Sequence, residues 1–397
     1  MPFLCARSVR QRLGVTLHRA LHHEFWPGWL YYLPLIPWCA WLGLRHGGLM
    51  SFTCANPAIP HGGGMVGESK HEILKALVPL GEALLAAEYL EPGTPETRFN
   101  ALKAAMADGR LPPDYPIVLK PDTGQRGYGV RTARNNADAK DYLARMDRPV
   151  IAQAYHPGPI EVGVMWVRTT PTTSTTADVR ADTDTKPLGR LFSLTLKDFP
   201  TIQGDGRHTL EQLIDRHPRY RCQARVFLAR LGDRREDIPP AGEHRSLGSI
   251  GNHSQGAIFR DAAEHITPAL EAWIDRAAAA FCAQPPASIL LPPGDNGLDF
   301  CRFDIRVRTL DDLRAARDLA IIELNGSSAE STNIYDPDRS LLWSWRILLD
   351  QWATLYRLGS RRRAQGVRPM GLFALRRNWR EFDQGRPVMF SYTDSPC

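Results

Sequence analysis

Residues 300–328 read FCRFDIRVRTLDDLRAARDLAIIELNGSS, and the rest of the chain is organised around how this stretch folds. Phe300–Val307 is rich in apolar and β-branched residues, and Leu319–Leu324 is an apolar run ending at Asn325-Gly326. Both read as strands. Side chains on a strand alternate between faces. Arg302 and Asp304 therefore share one face of the first strand, and Glu323 and Asn325 share one face of the second. If the two strands are neighbours, an arginine, two carboxylates and an amide oxygen converge on one patch. Hard cations such as Mg2+ take this oxygen set, completed by water and substrate phosphates. The plain alternative is a surface hairpin with solvated charges. The apolar residues around Glu323 weigh against it, because burying an unpaired carboxylate is costly.

The chain has 397 residues, enough for two or three domains and a large core. Its 43% apolar content is ordinary for a soluble globular protein. The net charge of +6 suits anionic ligands such as nucleotides, but it is too small and too spread out for a nucleic-acid partner. Seven cysteines are scattered with no CxxC pair, which suggests neither a zinc ribbon nor a disulfide framework. A reduced cytoplasmic compartment is the expectation. The basic start (Arg7, Arg10, Arg12, Arg19) is not followed closely by an apolar region with a cleavage site, so no secretory signal is read.

The most apolar window is Trp29–Leu44, WLYYLPLIPWCAWLGL. As a helix it would reach roughly 24 Å, short of the ~30 Å hydrocarbon core. Pro34 and Pro37 also interrupt it. It is read first as a buried core or subunit-interface segment, with a homodimer as one outcome. The alternative is a peripheral anchor at the inner membrane surface, helped by its tryptophans and tyrosines.

Ahead of the opening stretch, several segments carry chemistry. A short strand is expected at Leu49–Cys54, then a glycine-rich loop at Gly62–Gly67 and a helix over Glu68–Tyr89. The loop lacks the spacing of a GxxxxGK[ST] phosphate cradle. Residues 115–130 read YPIVLKPDTGQRGYGV. Here Lys120 leaves a strand beside Gly124, Gly127 and Gly129, a pattern that can hold phosphate oxygens under backbone N–H groups. Asn135–Met146 reads as a helix, Pro149–Tyr155 and Ile160–Val167 as strands, and the threonine-rich 169–185 segment as an exposed hairpin loop. The loop Ser246–Asp261 carries Asn252, His253 and Arg260. Ser340–Tyr356 reads as a helix, and the arginine-rich end from Ser360 as a tail.

Together these stretches resemble the ATP-grasp superfamily. The resemblance rests on Val118-Leu119-Lys120-Pro121 with its glycine loop, on Gln153-Ala154-Tyr155 with Gly158 and Glu161, and on Arg302-x-Asp304 followed by Glu323-x-Asn325-Gly326. It covers roughly residues 113–350, and Thr201–Leu213 looks like cyanophycin synthetase and related ligases. It implies an α+β fold in which two α+β subdomains clamp ATP between antiparallel sheets, here behind a helical, aromatic-rich N-terminal region. It implies carboxylate–amine ligase chemistry of the D-alanine–D-alanine ligase kind, in which a carboxylate is activated as an acyl phosphate and then attacked by an amine or thiol.

The same resemblance gives Lys120 and the Gly124–Gly129 loop to the phosphates, Gln153, Ala154 and Tyr155 to the adenine, and Glu161 to the ribose. Asp304, Glu323 and Asn325 would hold Mg2+, with Mn2+ as a substitute. Arg302 would stabilise developing charge, and Asn252 and Arg260 would belong to a substrate or phosphate lid. The domains expected are an N-terminal segment (1–70), a helical connector (71–112), the ATP-grasp domain (113–350, dividing near 160) and a basic tail (351–397). The chain departs from the family in residues 1–112, which show little sign of the Rossmann-like domain that usually precedes the clamp. A small-molecule kinase and a non-catalytic nucleotide-binding scaffold at a membrane surface are the other readings.

Overall fold

A computed structural model of the chain describes residues 9–124, 127–169, 187–283, 289 and 291–384. In chain order the strands are β1 (Ala87–Leu90), β2 (Ile117–Pro121), β3 (Arg131–Ala133), β4 (Val150–Ala154), β5 (Ile160–Arg168) and β6 (Gly189–Asp198). A small ribbon follows, β7 (Thr201–Gln203) with β8 (His244–Ser246), and then β9 (Ile258–Asp261), β10 (Phe300–Val307) and β11 (Ala320–Asn325). The first four form an antiparallel sheet in the order β1-β4-β2-β3. A second antiparallel sheet runs β11-β10-β5-β6-β9. This is the two-subdomain α+β arrangement that the resemblance implies. The threonine-rich segment between β5 and β6 lies, apart from Thr169, outside the described residues.

Alternation builds the second sheet. Cys301, Phe303, Ile305 and Val307 point into a core with Val162, Val164, Trp166 and Leu194, packed under the helix Pro268–Ala279. Arg302, Asp304 and Arg306 take the other face. β11 cannot alternate regularly, because Ile321 is in the core while Glu323, two residues on, shares the face of Asp304. The register resolves this: Asp304 pairs with Glu323 but Ile305 pairs with Ile321, so Ile322 is bulged. The bulge keeps the apolar residues in the core while the carboxylates face each other across the strands.

The first sheet packs Ile117, Leu119, Val150 and Ala152 against the helices Pro95–Ala107 and Asn136–Arg145. It also recruits β1, where a single helix over Glu68–Tyr89 was expected. The helix is confined to Lys70–Ala76, a 3-10 turn covers Val78–Ala83, and Ala87–Leu90 pairs with β4. Pro79 and the positive φ at Gly81 end the helical path. The open edge of β4 then captures the next four residues, within the segment read as a connector. Likewise Leu49–Cys54 is not a strand: Ser51–Cys54 is a 3-10 turn packed on the helix Leu341–Ala364. The expected tail continues that helix to Ala364 and adds a second, Leu372–Gln384.

The apolar window near the N-terminus splits at Pro34 into helices Gly28–Tyr31 and Leu35–Arg45. Tyr31 and Leu35 pack with Ile334 and Leu348, so one side is a core element. Among the described residues no helix is long and apolar enough to cross a membrane.

A buried ion network ties the ends of the chain to β10. Arg362 donates to Asp299 at 2.6 and 2.7 Å and to Asp295, and Arg168 reaches Asp299 at 3.2 Å. Asn56 braces the same corner through the backbone of Asp299 and Phe300. Removing one partner leaves the opposing charges buried and uncompensated. Asp299→Ala is therefore expected to destabilise the fold by about 3–5 kcal/mol, read as a lower guanidinium midpoint. An unchanged midpoint would contradict this role.

Candidate active site

The polar face of the second sheet carries an interlocked set of charges. Asp304 receives Arg302 in a bidentate pair (Nε to Oδ1 3.0 Å, Nη2 to Oδ2 3.2 Å) and Lys197 at 3.1 Å. Lys197 also donates to Glu161 at 2.8 Å, and Arg306 donates to the other oxygen of Glu161 at 3.1 Å. Burial alone would raise the Asp304 pKa, but Arg302 and Lys197 outweigh it and hold it down to about 2. Burial opposes the ionised form of Glu161 too, and Lys197 and Arg306 overcome it. Glu323 lies directly opposite Asp304 and Asn325 opposite Arg302. Facing carboxylates repel; here cations divide them, with Lys70 on Glu323 at 3.2 Å.

The first sheet meets this face. Lys120, at the end of β2, is buried and donates to Gln153 Oε1 at 2.8 Å and to the Ile322 carbonyl at 3.3 Å. Gln153 Nε2 donates to the same carbonyl at 3.0 Å, so the bulged residue of β11 is the point where the sheets touch. Burial lowers the Lys120 pKa to about 8; Glu323 opposes the shift and Lys70 adds to it. Among the described residues Lys120 has no direct carboxylate partner, and its ammonium sits where the two sheets meet. Lys70 is brought alongside by Asp122: its carboxylate accepts from Ser69 Oγ at 3.0 Å and from the backbone of His71 at 2.8 Å, at the start of the Lys70–Ala76 helix. Lys70 then donates to the Gly124 carbonyl at 2.7 Å.

Two loops cover the junction. The segment around Gly251 runs so close over Glu161 and Lys197 that a Cβ there would lie 2.2 Å from Glu161 Oε1. Gly127 of the glycine-rich loop has φ +70 and packs on Ile250, with Asn252 beside it. The Asn252 side chain itself caps a 3-10 turn by accepting from Ser254. Gly129 lies against Pro121, and residues 125 and 126 of this loop are outside the described residues.

The structure thus brings Lys120, Gly124, Gly127, Gln153, Glu161, Asn252, Arg302, Asp304, Glu323 and Asn325 to one junction. Ala154 ends β4 with its N–H donated to Ala86, and Tyr155 follows, partly exposed. Arg260 is the exception. It pairs with Leu196 in the register, and so lies on the opposite face of the sheet from Lys197. There it meets Asp198, Asp336 and Asp338. Its odd–even position on β9 decides this, and the sequence does not show that position without the register.

Sequence reasoning missed Lys70, Glu68, Lys197 and Arg306. Lys70 and Glu68 follow a glycine-rich loop whose spacing matches no phosphate cradle, so nothing local marked them. Lys197 gains its role only through its register with Glu161. Glu68 Oε2 accepts from the Gly326 N–H at 3.0 Å. Burial raises its pKa to about 7, opposed by the Gly326 N–H and Lys70.

Among the described residues no group of three or more His, Cys, Asp or Glu is arranged to hold a metal ion. The oxygen set at the junction is two carboxylates and an amide, with Asn325 Nδ2 turned to Asp304 at 3.5 Å and its oxygen left free of that contact. Such hard donors suit a divalent cation shared with phosphates.

No family model and no curated protein matches the sequence. Solved structures that match include a bifunctional glutathione synthetase from Pasteurella multocida (14% identity, TM-score 0.35, 72% of this chain and 36% of that one). The ATP-grasp ligase PsnB with a minimal precursor matches at 16% identity and TM-score 0.31, over 66% of this chain and 52% of that one. D-alanine–D-alanine ligase from Bacillus anthracis matches at 11% and 0.38, over 80% and 71%. The chain therefore spans about a third to a half of the first two proteins' lengths.

The raised pKa of Glu68 sets a pH dependence. The native protein keeps a proton there up to about pH 7, whereas a glutamate in the unfolded chain loses its proton near 4.5. Between those values the native state binds more protons than the unfolded chain, so this group's contribution to stability falls as pH rises. Glu68→Gln is expected to gain on the native protein between pH 5 and pH 8 in denaturant titrations. Parallel stability curves would rule this out.

Proposed function

We propose that this chain is an ATP- and Mg2+-dependent ligase. It activates a carboxylate as an acyl phosphate for attack by an amine or thiol, and releases ADP and phosphate. The observation that supports this most directly is the meeting of Lys120 and Lys70 with Arg302, Asp304, Glu323 and Asn325 across the two sheets.

Lys120 and Lys70 would bind the transferring phosphate's oxygens. The poor solvation that lowers the Lys120 pKa is relieved when an anion arrives, so binding and charge are coupled. The glycine-rich loop and the 248–252 segment would exclude water from the phosphates. The end of β4 at Gln153–Tyr155 would border the adenine, and Glu161, oriented by Lys197 and Arg306, would accept from the ribose. Asp304, Glu323 and Asn325 would hold Mg2+, or Mn2+ in its place, which supplies Lewis-acid neutralisation of phosphate oxygens. Arg302 is fixed by Asp304 and the Glu330 carbonyl, so it is preorganised where charge develops on the acyl phosphate and the tetrahedral intermediate. Arg260, on the other face, has no part in this scheme.

The test is nucleotide product analysis with Mg2+, ATP and pooled carboxylates, with and without pooled amines. ADP that forms only with both pools supports the ligase. Glu323→Ala and Arg302→Ala should each lose roughly 100-fold or more in turnover, read on protein that circular dichroism shows to be folded, since removing a partner from the buried seam also lowers the denaturant midpoint. ADP with a stable phosphorylated acceptor and no amine dependence would point to a kinase, and AMP would overturn the acyl-phosphate route.

A second reading concerns location. The outer face of the Leu35–Arg45 helix is apolar and exposed: Ile36, Pro37, Ala40, Trp41 and Leu44 all face solvent, Leu44 at 86%. Arg45 flanks this face, and exposed Arg357 and Arg363 lie by its C-terminal end at His46 and Gly47. This supports peripheral association with an anionic bilayer. Vesicles containing phosphatidylglycerol should co-sediment the protein and those of phosphatidylcholine alone should not, with Trp41→Ser plus Leu44→Ser reducing binding. Equal recovery of native and variant protein would remove the idea, and dimerisation lost in the variant would assign the face to a second copy.

A further inference from the structure

Away from the junction, the helix Leu372–Gln384 lines a cavity of about 550 Å3. That volume falls within the roughly 300–1,000 Å3 of small-molecule sites. The other walls are the segment 367–370 and the turn at His61–Gly63. Ile59, Ile289 and Val367 supply apolar lining, and Arg368, Arg377 and Asn378 supply polar groups. Among the described residues that line it, none belongs to the junction.

The charges in this lining are unevenly matched. Among the described residues Arg368 has no ion-pair or hydrogen-bond partner. Arg377 meets Glu381, Nε to Oε1 at 4.0 Å, and both side chains are exposed; a pair of that kind is worth little. Two guanidiniums therefore stand against one carboxylate among the described lining residues. Neither arginine is needed to seat the helix. Leu375 and Phe382 do that, packing with Met65, Val66 and Tyr128, and Asn378 Nδ2 adds a bond to His61 Nδ1 at 3.2 Å.

The facing turn is built to hold its shape. His61, Gly62 and Gly63 all have positive φ, at 57, 73 and 74, a conformation uncommon for a histidine. A Cβ at Gly63 would lie 2.0 Å from the Ala55 carbonyl oxygen, so glycine is required for that approach. The Gly63 carbonyl accepts from the Ser327 N–H at 2.8 Å and from Asn56 Nδ2 at 3.3 Å. One layer of backbone thus separates the cavity from the end of β11. A wall fixed in this way spares a ligand the cost of ordering it.

Uncompensated arginine suits an anion, and a guanidinium fork matches a carboxylate. The apolar lining asks for hydrocarbon beside that charge. A bare inorganic anion would leave Ile59, Ile289 and Val367 uncovered, and a cation would meet the guanidiniums. We propose that this cavity binds a small carboxylate with an apolar body, its charge held by Arg368 and Arg377. The site is separate from the junction and does not depend on the ligase reading.

The test is calorimetric titration of the full chain with p-bromophenylacetate, with p-bromophenethyl alcohol as its neutral counterpart and inorganic phosphate as a bare anion. No nucleotide is present, so the result stands whatever becomes of the ligase reading. The native protein should bind the acid saturably and the alcohol roughly tenfold more weakly, and phosphate should not displace the acid. Arg368→Gln and Arg377→Gln should each weaken the acid roughly tenfold, the loss of one charged hydrogen-bonding partner. Both side chains are exposed, so the fold should survive either change. Arg380→Gln, on the same helix but not in the lining, removes the same charge and should bind as the native protein does. Unchanged affinity in either lining variant, an equal loss in Arg380→Gln, displacement by phosphate, or no binding of the acid would overturn the proposal. In soaked crystals the bromine anomalous peak should lie against Ile59 or Val367, and a peak outside this cavity would contradict it.

Discussion

The structure depends on charge compensation at a buried seam. Asp304, Glu161 and Glu323 are brought within reach of one another by strand register, an arrangement that would push the strands apart if left alone. Lys197 sits between Asp304 and Glu161, Arg302 spans Asp304 in a bidentate pair, and Lys70 faces Glu323. Asp304 and Glu161 stay ionised because cations are held against them, and those cations are held because the carboxylates fix them. Among the described residues of the seam, Lys120 is the cation with no carboxylate in contact, and burial has already weakened its hold on its proton. On the ligase reading, a seam of this kind suits a polyanion bearing its own metal.

The same seam joins the two sheets. The bulge at Ile322 turns a carbonyl toward Lys120 and Gln153, so the irregularity that sorts Ile321 from Glu323 also makes the contact between the sheets. Asp122, two residues past Lys120, caps the helix that carries Lys70. Backbone irregularity and capping act together with apolar packing, since Ile73, Ala76 and Leu77 of the Lys70 helix share a core with Ile321 and Leu324.

Much of this was legible in the sequence. Phe300–Asn325 showed its strands and the shared faces of Arg302 with Asp304 and of Glu323 with Asn325, because two-residue alternation is a local property. Lys120 was legible because a lysine followed by glycines at a strand end is locally unusual. The missed residues depend on long-range partners. Lys70 and Glu68 gain meaning only against β11, more than 250 residues away. His61 and Asn378 meet across 317 residues. β1 was hidden because Ala87–Leu90 follows a helical pattern and becomes a strand only at the edge of β4. Arg260 shows the reverse failure: residue type and position in the order were suggestive, but parity on β9 turned it away.

The most direct test of the account is anomalous diffraction from crystals soaked with Mn2+ and a non-hydrolysable ATP analogue. The account predicts phosphates against Lys120 and Lys70 and a manganese peak at inner-sphere distance, about 2.1 Å for a Mg-like ion, from oxygens of Asp304 and Glu323. Nucleotide bound elsewhere, or manganese held away from both carboxylates, would contradict it.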